Sequence, residues 1–480
     1  MTRILFISAE MAPFSKTGGL GDVSGSLPKA LKEIGHEVNT VSPYYHFIPQ
    51  PMEQMPHEYH VHVSRQRKDG AFLRNREDGV ERYFVVNPGY FDREGIYGDR
   101  HGEFGDNDER FAYLCEAALL LCKVEGWKPD IIHINDWHTG ILAPILRLKY
   151  AGDSFFQNTK VVFTIHNLAY HGYFSPGCVQ KFDLPSEVMR FDGMEFQGMA
   201  SFLKAGLQYS DFITTVSPTY AEEIQTREYG FGMEEILRHL NYKLLGILNG
   251  IDSNEWNPAV DPHISGFNFN GEALGNKHRY KEYFLSQMGL PYWSHVPLVG
   301  MVSRFTPQKG IGLIQESLEE ILHMGCQAVI LGSGDSGFVD YLHQLQERYS
   351  RQLRVFATFS NSLSHQIEAA SDYFLMPSRY EPCGLNQMYS LRYGTIPIVH
   401  HTGGLADTVL DCDTYPEHGN GYSFYNFNRE SFLDAVKRAL GLYQYPENKE
   451  IIQRRGMFTD YSWSRSAKDY ASLYDYLKGE

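Results

Sequence analysis

The sequence has few cysteines, no long apolar run and no excess of basic residues, and each shortage removes a class of protein. Six cysteines (Cys115, Cys122, Cys178, Cys326, Cys383 and Cys412) are scattered over 480 residues. None forms a CxxC pair, so a disulfide framework is not expected, and most of these thiols read as small buried hydrophobes in a reducing compartment. No segment approaches the ~18 apolar residues that a membrane span needs. The opening MTRILFISAEM has only Ile4–Ile7 as an apolar core before Glu10, too short for a secretion signal, so the expected location is the cytoplasm. Lys and Arg number 43 against 58 Asp and Glu, a net charge of −15. That balance argues against nucleic acid and anionic membranes as partners, because both are held by cationic excess. The phosphate-binding pattern GxxxxGK[ST] is missing, and so is GxGxxG after the first strand, which weakens a P-loop ATPase and a standard NAD enzyme. There is no low-complexity tract and no short-period repeat.

What remains is ordinary globular usage, with 42% apolar and 21% charged residues. At ~100–200 residues per domain the length implies two or three domains. The 32 Tyr and 30 Phe fit large cores, or a surface for flat polar groups such as sugar rings. Short Val/Ile/Phe-rich runs predict strands at Arg3–Ser8, Glu37–Ser42, Asp130–Ile134, Lys160–Ile165, Asp211–Val216 and Gly246–Leu248. Helix-length segments separate them, the first being Val23–Ile34 with apolar residues at helical spacing. A stretch rich in Asp, Asn, Pro and Gly (252–275) reads as a connection. The same grammar then restarts with strands at Leu298–Val302, Ala328–Leu331, Tyr373–Met376 and Ile396–His400. Two doubly wound α/β domains in tandem are expected, with ligands outside the carboxyl ends of their strands and the natural site in the cleft between them.

Several motifs fall on such strand ends. KTGGLGDV (Lys16–Val23) and HTGGLADTV (His401–Val409) each lie between a strand and a helix. Glycines there allow close backbone approach, and a helix start can hold a phosphate. SRFTPQKG (Ser303–Gly310) places Arg304 and Lys309 on a turn after a strand, a planar fork and a mobile point charge for phosphate oxygens. SRYEPCGLNQ (Ser378–Gln387) puts Glu381 on another such turn, where a carboxylate can bond a sugar hydroxyl or stabilise positive charge at a reacting carbon. HINDWHTG (His133–Gly140) and TIHNLAYHG (Thr164–Gly172) bring Asp136, His138 and His166 to the ligand edge of the first sheet. His166 reads as a hydrogen-bond donor to a polar ligand. The five-residue spacing of His133 and His138 matches no common metal motif, so no metal site is expected.

These motifs occur in the order found in bacterial glycogen synthases and plant starch synthases. With the closing YSWSRSAKDYASLYDYL, the likeness runs over nearly the whole chain. The sequence therefore resembles the glycogen/starch synthase family. That resemblance implies a GT-B fold: an N-terminal Rossmann-like domain over 1–252 on the glucan acceptor side, a C-terminal one over 253–460 on the sugar-nucleotide side, and a last helix over 461–480 returning to the first. It implies transfer of glucose from ADP-glucose to the non-reducing end of an α-1,4-glucan such as glycogen, with retention of configuration and without a metal ion or other cofactor. By matching motif, it implies donor-binding roles for Lys16, Gly18, Gly19, Arg304, Lys309, Cys383, Gly384 and Leu385, and for Thr402, Gly403, Gly404 and Leu405 in the second glycine turn. Phe359 takes the place of an aromatic beside the adenine. Glu381, His166, Asp136 and Asp22 take the catalytic positions, and Tyr97 in GIYGD lies on the acceptor side. The chain departs from the family pattern at Asn135, where His is usual before the Asp of the DWH turn. A Ser-Asn pair, Ser360 and Asn361, stands where an acid usually follows the adenine-side aromatic, and Glu235 replaces a small residue.

Overall fold

Arg3–Ile7 (β1) is apolar from Ile4 onward and buried on both faces, as a central parallel strand must be. The computed structural model describes residues 1–49, 52–64 and 66–479, and these divide into two units: Met1–Gly250 with Trp463–Glu480, and Ile251–Ser462. In unit 1, β1 is followed by helix α1 (Gly19–Glu33) and β2 (Glu37–Pro43). Strands β3 (Glu53–Val63), β4 (Gln66–Glu77) and β5 (Val80–Val86) come next, then α2 (Asn107–Val124), β6 (Ile131–Asn135), the short α3 (Asp136–Gly140), β7 (Lys160–Ile165), β8 (Phe212–Thr215) and β9 (Leu244–Gly246). Among the described residues the strand order is β9-β8-β7-β6-β1-β2-β5-β4-β3. All pairings from β9 to β5 are parallel, while β4 runs antiparallel to both β5 and β3. The sheet is therefore mixed, with an antiparallel edge beyond its parallel strands.

The direction of winding reverses at β1, which has β2 on one side and β6 on the other. The chain crossing away from β1 on both sides opens a crevice at its carboxyl end, where ligands bind such sheets.

Unit 2 repeats the logic with β10 (Leu298–Phe305), α4 (Ile311–His323), β11 (Gln327–Gly334), β12 (Leu353–Phe356), α5 (Asn361–Ala370), β13 (Tyr373–Met376), α6 (Asn386–Arg392), β14 (Ile396–His400), α7 (Gly403–Thr408) and β15 (Tyr422–Phe424). The order is β12-β11-β10-β13-β14-β15, all parallel. β10 stays paired with β11 as far as Phe305, but with β13 only at Val299 and Gly300. The two strands diverge at their carboxyl ends and leave a crevice there.

The stretch 252–275 belongs to unit 2 and is packed onto it. Trp256 stacks on His365 (ring centroids 3.8 Å) and on Tyr389 (3.7 Å). The buried Asp261 accepts from Tyr393 Oη at 2.6 Å and pairs with His365 Nδ1 at 3.0 Å.

The last helix, α8 (Trp463–Lys478), packs in unit 1. Its Trp463, Ala467, Tyr470, Leu473 and Tyr474 join Ile4, Phe6, Val23, Leu27 and Leu31 in one core cluster. That stripe recurs every three or four residues, the spacing of one helix face. No helix among the described residues is long and apolar enough to cross a membrane, and all six cysteines are buried and free.

Candidate functional site

The loop after β1 is organised by a residue that the motifs did not single out. Glu10 is buried. Its carboxylate accepts from the Thr17 backbone N–H (2.6 Å), the Thr17 hydroxyl (2.6 Å), the Gly18 N–H (3.3 Å) and the Tyr97 hydroxyl (2.5 Å). An internal carboxylate thus occupies part of the anion-accepting helix start. The first glycine turn is held by the protein's own charge, and Gly18 and Gly19 flank it. Lys16 Nζ pairs with Asp22 Oδ1 at 2.6 Å across the turn, and the lysine is partly exposed. Tyr97 stacks on His138 (centroids 4.5 Å, 20°), and burial, with the nearby Glu10 charge, holds its phenol far above the usual range. The Tyr97 loop is fixed from below by buried Arg110, which donates to the carbonyls of Tyr90 (2.7 Å) and Ile96 (2.9 Å).

β6 ends in Asn135, and the next residue, Asp136, has φ +56°. That left-handed backbone is uncommon outside glycine and recurs at functional sites. It turns the carboxylate back onto the loop after β7, where Oδ1 accepts from the N–H of His166 (2.7 Å) and of Asn167 (3.3 Å). Burial pushes the Asp136 carboxyl up to about 7, against those two N–H bonds and with the Glu10 charge adding to the rise. The His166 ring is driven down to about 3 by burial, so it is neutral at physiological pH. Its Nε2 lies 2.9 Å from Asn135 Oδ1, which commits the ring's hydrogen.

The raised Asp136 carboxyl carries a stability prediction. Between the ordinary carboxyl value and about 7, the folded chain holds a proton that the unfolded chain lacks. Stability therefore falls as pH rises through that window, and the whole cost is present above it. Asp136→Asn keeps the oxygen acceptor, and Asn tolerates positive φ. The variant should gain on wild type by more than about 1 kcal/mol between pH 5 and pH 8, read from urea midpoints. A constant difference across that range would refute the assignment.

In unit 2 the contact between Lys309 and Glu381 is built by backbone fit. Gly310 has φ +75°, and a Cβ there would overlap the Pro377 carbonyl. The turn carrying Lys309 can therefore lie directly on the loop after β13, where the Arg379 N–H donates to Gln308 O at 2.8 Å. Lys309 Nζ then reaches Glu381 Oε2 at 2.5 Å, and Ser378 Oγ donates to the same oxygen at 2.9 Å. Glu381 is buried, whereas Arg304 is exposed near the carboxyl end of β10. Buried Cys383 and Gly384 (φ +72°) lead into Leu385, which precedes α6. Gln387 Nε2 ties this turn by donating to the carbonyls of Cys383 and Gly384, both at 3.0 Å.

Thr402, Gly403, Gly404 and Leu405 form the start of α7 against the same turn. The Gly404 N–H donates to the carbonyls of Glu381 (3.1 Å) and Pro382 (3.2 Å), and the Leu405 N–H to Thr402 O (3.0 Å). The Gly404 N–H thus holds the backbone of Glu381, while the Leu405 N–H closes the first turn onto Thr402. Phe359 stands apart at 82% exposure, and Ser360 beside it caps α5 by accepting the Leu363 N–H at 3.2 Å. Among the described residues, Asp261, His263 and His365 lie close enough together to hold a metal ion. Asp261 is already taken up, however, by the His263 N–H (2.8 Å), His365 and Tyr393, and reads as a structural knot.

Residues 3–239 match the family described as starch synthase catalytic domain, and residues 294–454 match glycosyl transferases group 1. Glycogen synthases of Anaeromyxobacter sp. (44% identical), Desulforamulus reducens (43%) and Koribacter versatilis (42%) align over 98–99% of this chain and 98% of their own lengths. The chain belongs to the glycogen and starch synthase family. The solved catalytic domain of starch synthase IV from Arabidopsis thaliana, bound to ADP and acarbose, matches it with a TM-score of 0.93 at 35% identity over the whole of both chains. A sucrose-phosphate synthase from Thermosynechococcus elongatus matches at a TM-score of 0.62 and 18% identity, a likeness of fold alone. The fold is therefore GT-B, and each of its two α/β units carries part of a glycogen synthase motif set at a strand-end crevice.

Glu10, Ser378 and Gly310 have roles that the motifs did not assign, and Asn135 stood out in the sequence only as a departure from the family pattern. Of the first three, only Gly310 left a signal, as a glycine directly after a basic residue at a strand-to-helix turn.

Proposed function

We propose that this chain is a retaining glucosyltransferase that moves glucose from ADP-glucose to the non-reducing end of an α-1,4-glucan, elongating glycogen in the cytoplasm. The reading is carried by one observation: a buried carboxylate, Glu381, held between Lys309 and Ser378 at a strand-end crevice, in a chain that aligns end to end with glycogen synthases. Breaking the bond to ADP builds negative charge on the β-phosphate and positive charge at the anomeric carbon. Lys309 and Arg304 of unit 2 supply positive charge to the first. Preorganised donors of this kind are worth ~2.7–4 kcal/mol each in a transition state. When the diphosphate competes for the Lys309 ammonium, Glu381 keeps the Ser378 hydroxyl and can face the developing cation. The acceptor hydroxyl attacks from the face the phosphate leaves, and the phosphate takes its proton. His166, kept neutral and fixed through Asn135 and Asp136, contacts the transferred sugar.

The test is incorporation of labelled glucose into glycogen from ADP-glucose and, in parallel, from UDP-glucose, in the presence of a chelator. Transfer from ADP-glucose with the chelator present is the expected result. Tight ADP binding without any transfer would overturn the reading.

A further inference from the structure

The hydrogen bonds of Asn135 leave its amide one orientation. The side chain is fully buried. Thr139 clamps its backbone: the Asn135 N–H donates to Thr139 Oγ1 at 2.6 Å, and that hydroxyl donates to the Asn135 carbonyl at 2.8 Å. Asn135 Nδ2 donates to the Ile7 carbonyl at 3.0 Å. A carbonyl can face only the NH₂ end of an amide, so Oδ1 must point the other way, and it meets His166 Nε2 at 2.9 Å. An amide oxygen carries no hydrogen. The hydrogen of that bond therefore belongs to His166 Nε2, and Nδ1 keeps the lone pair. An imidazole at position 135 could offer either a hydrogen or a lone pair, whereas an amide anchored to Ile7 offers only a lone pair.

We infer that Asn135 is a positioning residue that locks His166 in the Nε2–H tautomer, so that the ring meets the donor sugar as a hydrogen-bond acceptor at Nδ1 and recognises a hydroxyl. This rests on His166 contacting the transferred sugar, and it adds the polarity of that contact and the residue that sets it. The backbone of His166 is fixed independently through Asp136, so ring and backbone are held by adjacent residues at the end of one strand. The ring's low affinity for a second proton, caused by burial, agrees with a single neutral tautomer.

The experiment is long-range ¹H–¹⁵N spectroscopy on the full chain labelled with ¹⁵N-histidine, the His166 signals being assigned by their loss in His166→Gln. Wild type should show the Nε2–H pattern, unchanged from pH 5.5 to 8. Asn135→Leu, which removes the acceptor, should give mixed tautomers and lower kcat roughly tenfold to a hundredfold. Asn135→Asp keeps an acceptor in place and should restore the Nε2–H pattern, while its charge makes His166 titrate within that range. An Nδ1–H pattern in wild type, or a His166 spectrum indifferent to Asn135→Leu, would overturn the inference. If Asn135→Leu fails to fold, the wild-type pattern and Asn135→Asp decide. Because the spectra need no turnover, a chain with the expected tautomer and no glucose transfer would fail as a transferase and still bear out the lock.

Discussion

Lys309→Ala is expected to lower kcat for glucose transfer by about 10²–10³-fold, the effect of removing one preorganised donor from a developing oxyanion. The same substitution removes the partner of Glu381, whose Oε2 lies 2.5 Å from the ammonium in a buried setting. Leaving a buried carboxylate without its counter-charge is costly in its own right. The two roles separate in a double-mutant cycle. Glu381→Gln alone should lower kcat while leaving ADP affinity nearly intact, since Arg304 and Lys309 remain. Groups in direct contact do not add, so the double variant should lose less than the product of the two single losses. Lys309→Arg tests geometry against charge: it keeps the charge but brings a planar fork to a place where the turn is fitted to Pro377 by Gly310. Strict additivity of Lys309→Ala and Glu381→Gln in kcat would show that their contact has no part in the reaction.

The sequence made the central strands and strand-end turns legible because a buried parallel strand is a run of apolar residues with nothing to confuse it. Ile4–Ile7, Lys160–Ile165 and Tyr373–Met376 are examples, and each is buried at all but one position or throughout. The edge of unit 1 was missed. Glu53–Val63 and Gln66–Glu77 form an antiparallel pair with one wet face, where His60, His62, Arg67 and Asp69 interrupt the apolar pattern. Tyr422–Phe424 was missed because three residues make no pattern. The strand expected at Gly246–Leu248 lies at Leu244–Gly246, since an apolar run spanning both placements has no periodicity to choose between them.

At the site, motifs identified groups but not their partners. Nothing local says that Glu10 must take the Thr17 and Gly18 N–H groups together with a tyrosine hydroxyl 87 residues away. Nor does anything local say that Asn135 must face Ile7 on one side and His166 on the other. Those relations exist only once β1, β6 and β7 are adjacent.

The two glycine turns look alike in sequence and should respond oppositely to substitution, and Gly403→Ala should be the damaging one. Gly403 has φ +44°, and a Cβ on it would overlap the Glu381 carbonyl oxygen, a backbone atom that cannot rotate away. The cost has two parts: ~1–2 kcal/mol for a side chain in left-handed backbone, and displacement of the segment whose carboxylate faces Lys309 and Ser378. A shift near 1 Å at such a group costs about a hundredfold in rate, so Gly403→Ala should lower both the melting temperature and kcat. Gly18 is the contrasting case. Its backbone is extended (φ −160°), and a Cβ there would meet nothing within 4 Å. Gly18→Ala should therefore leave the melting temperature within the spread of surface substitutions, about 0.5 kcal/mol. Any loss of activity in that variant must then come from the bound state, where a methyl group would stand between the backbone and the substrate, and it should appear as a raised KM for ADP-glucose or glycogen. Equal thermal destabilisation of the two variants would mean that the turns are structural equivalents; a normal melting temperature with raised KM for Gly18→Ala, beside a destabilised and slow Gly403→Ala, assigns the first turn to ligand approach and the second to holding Glu381.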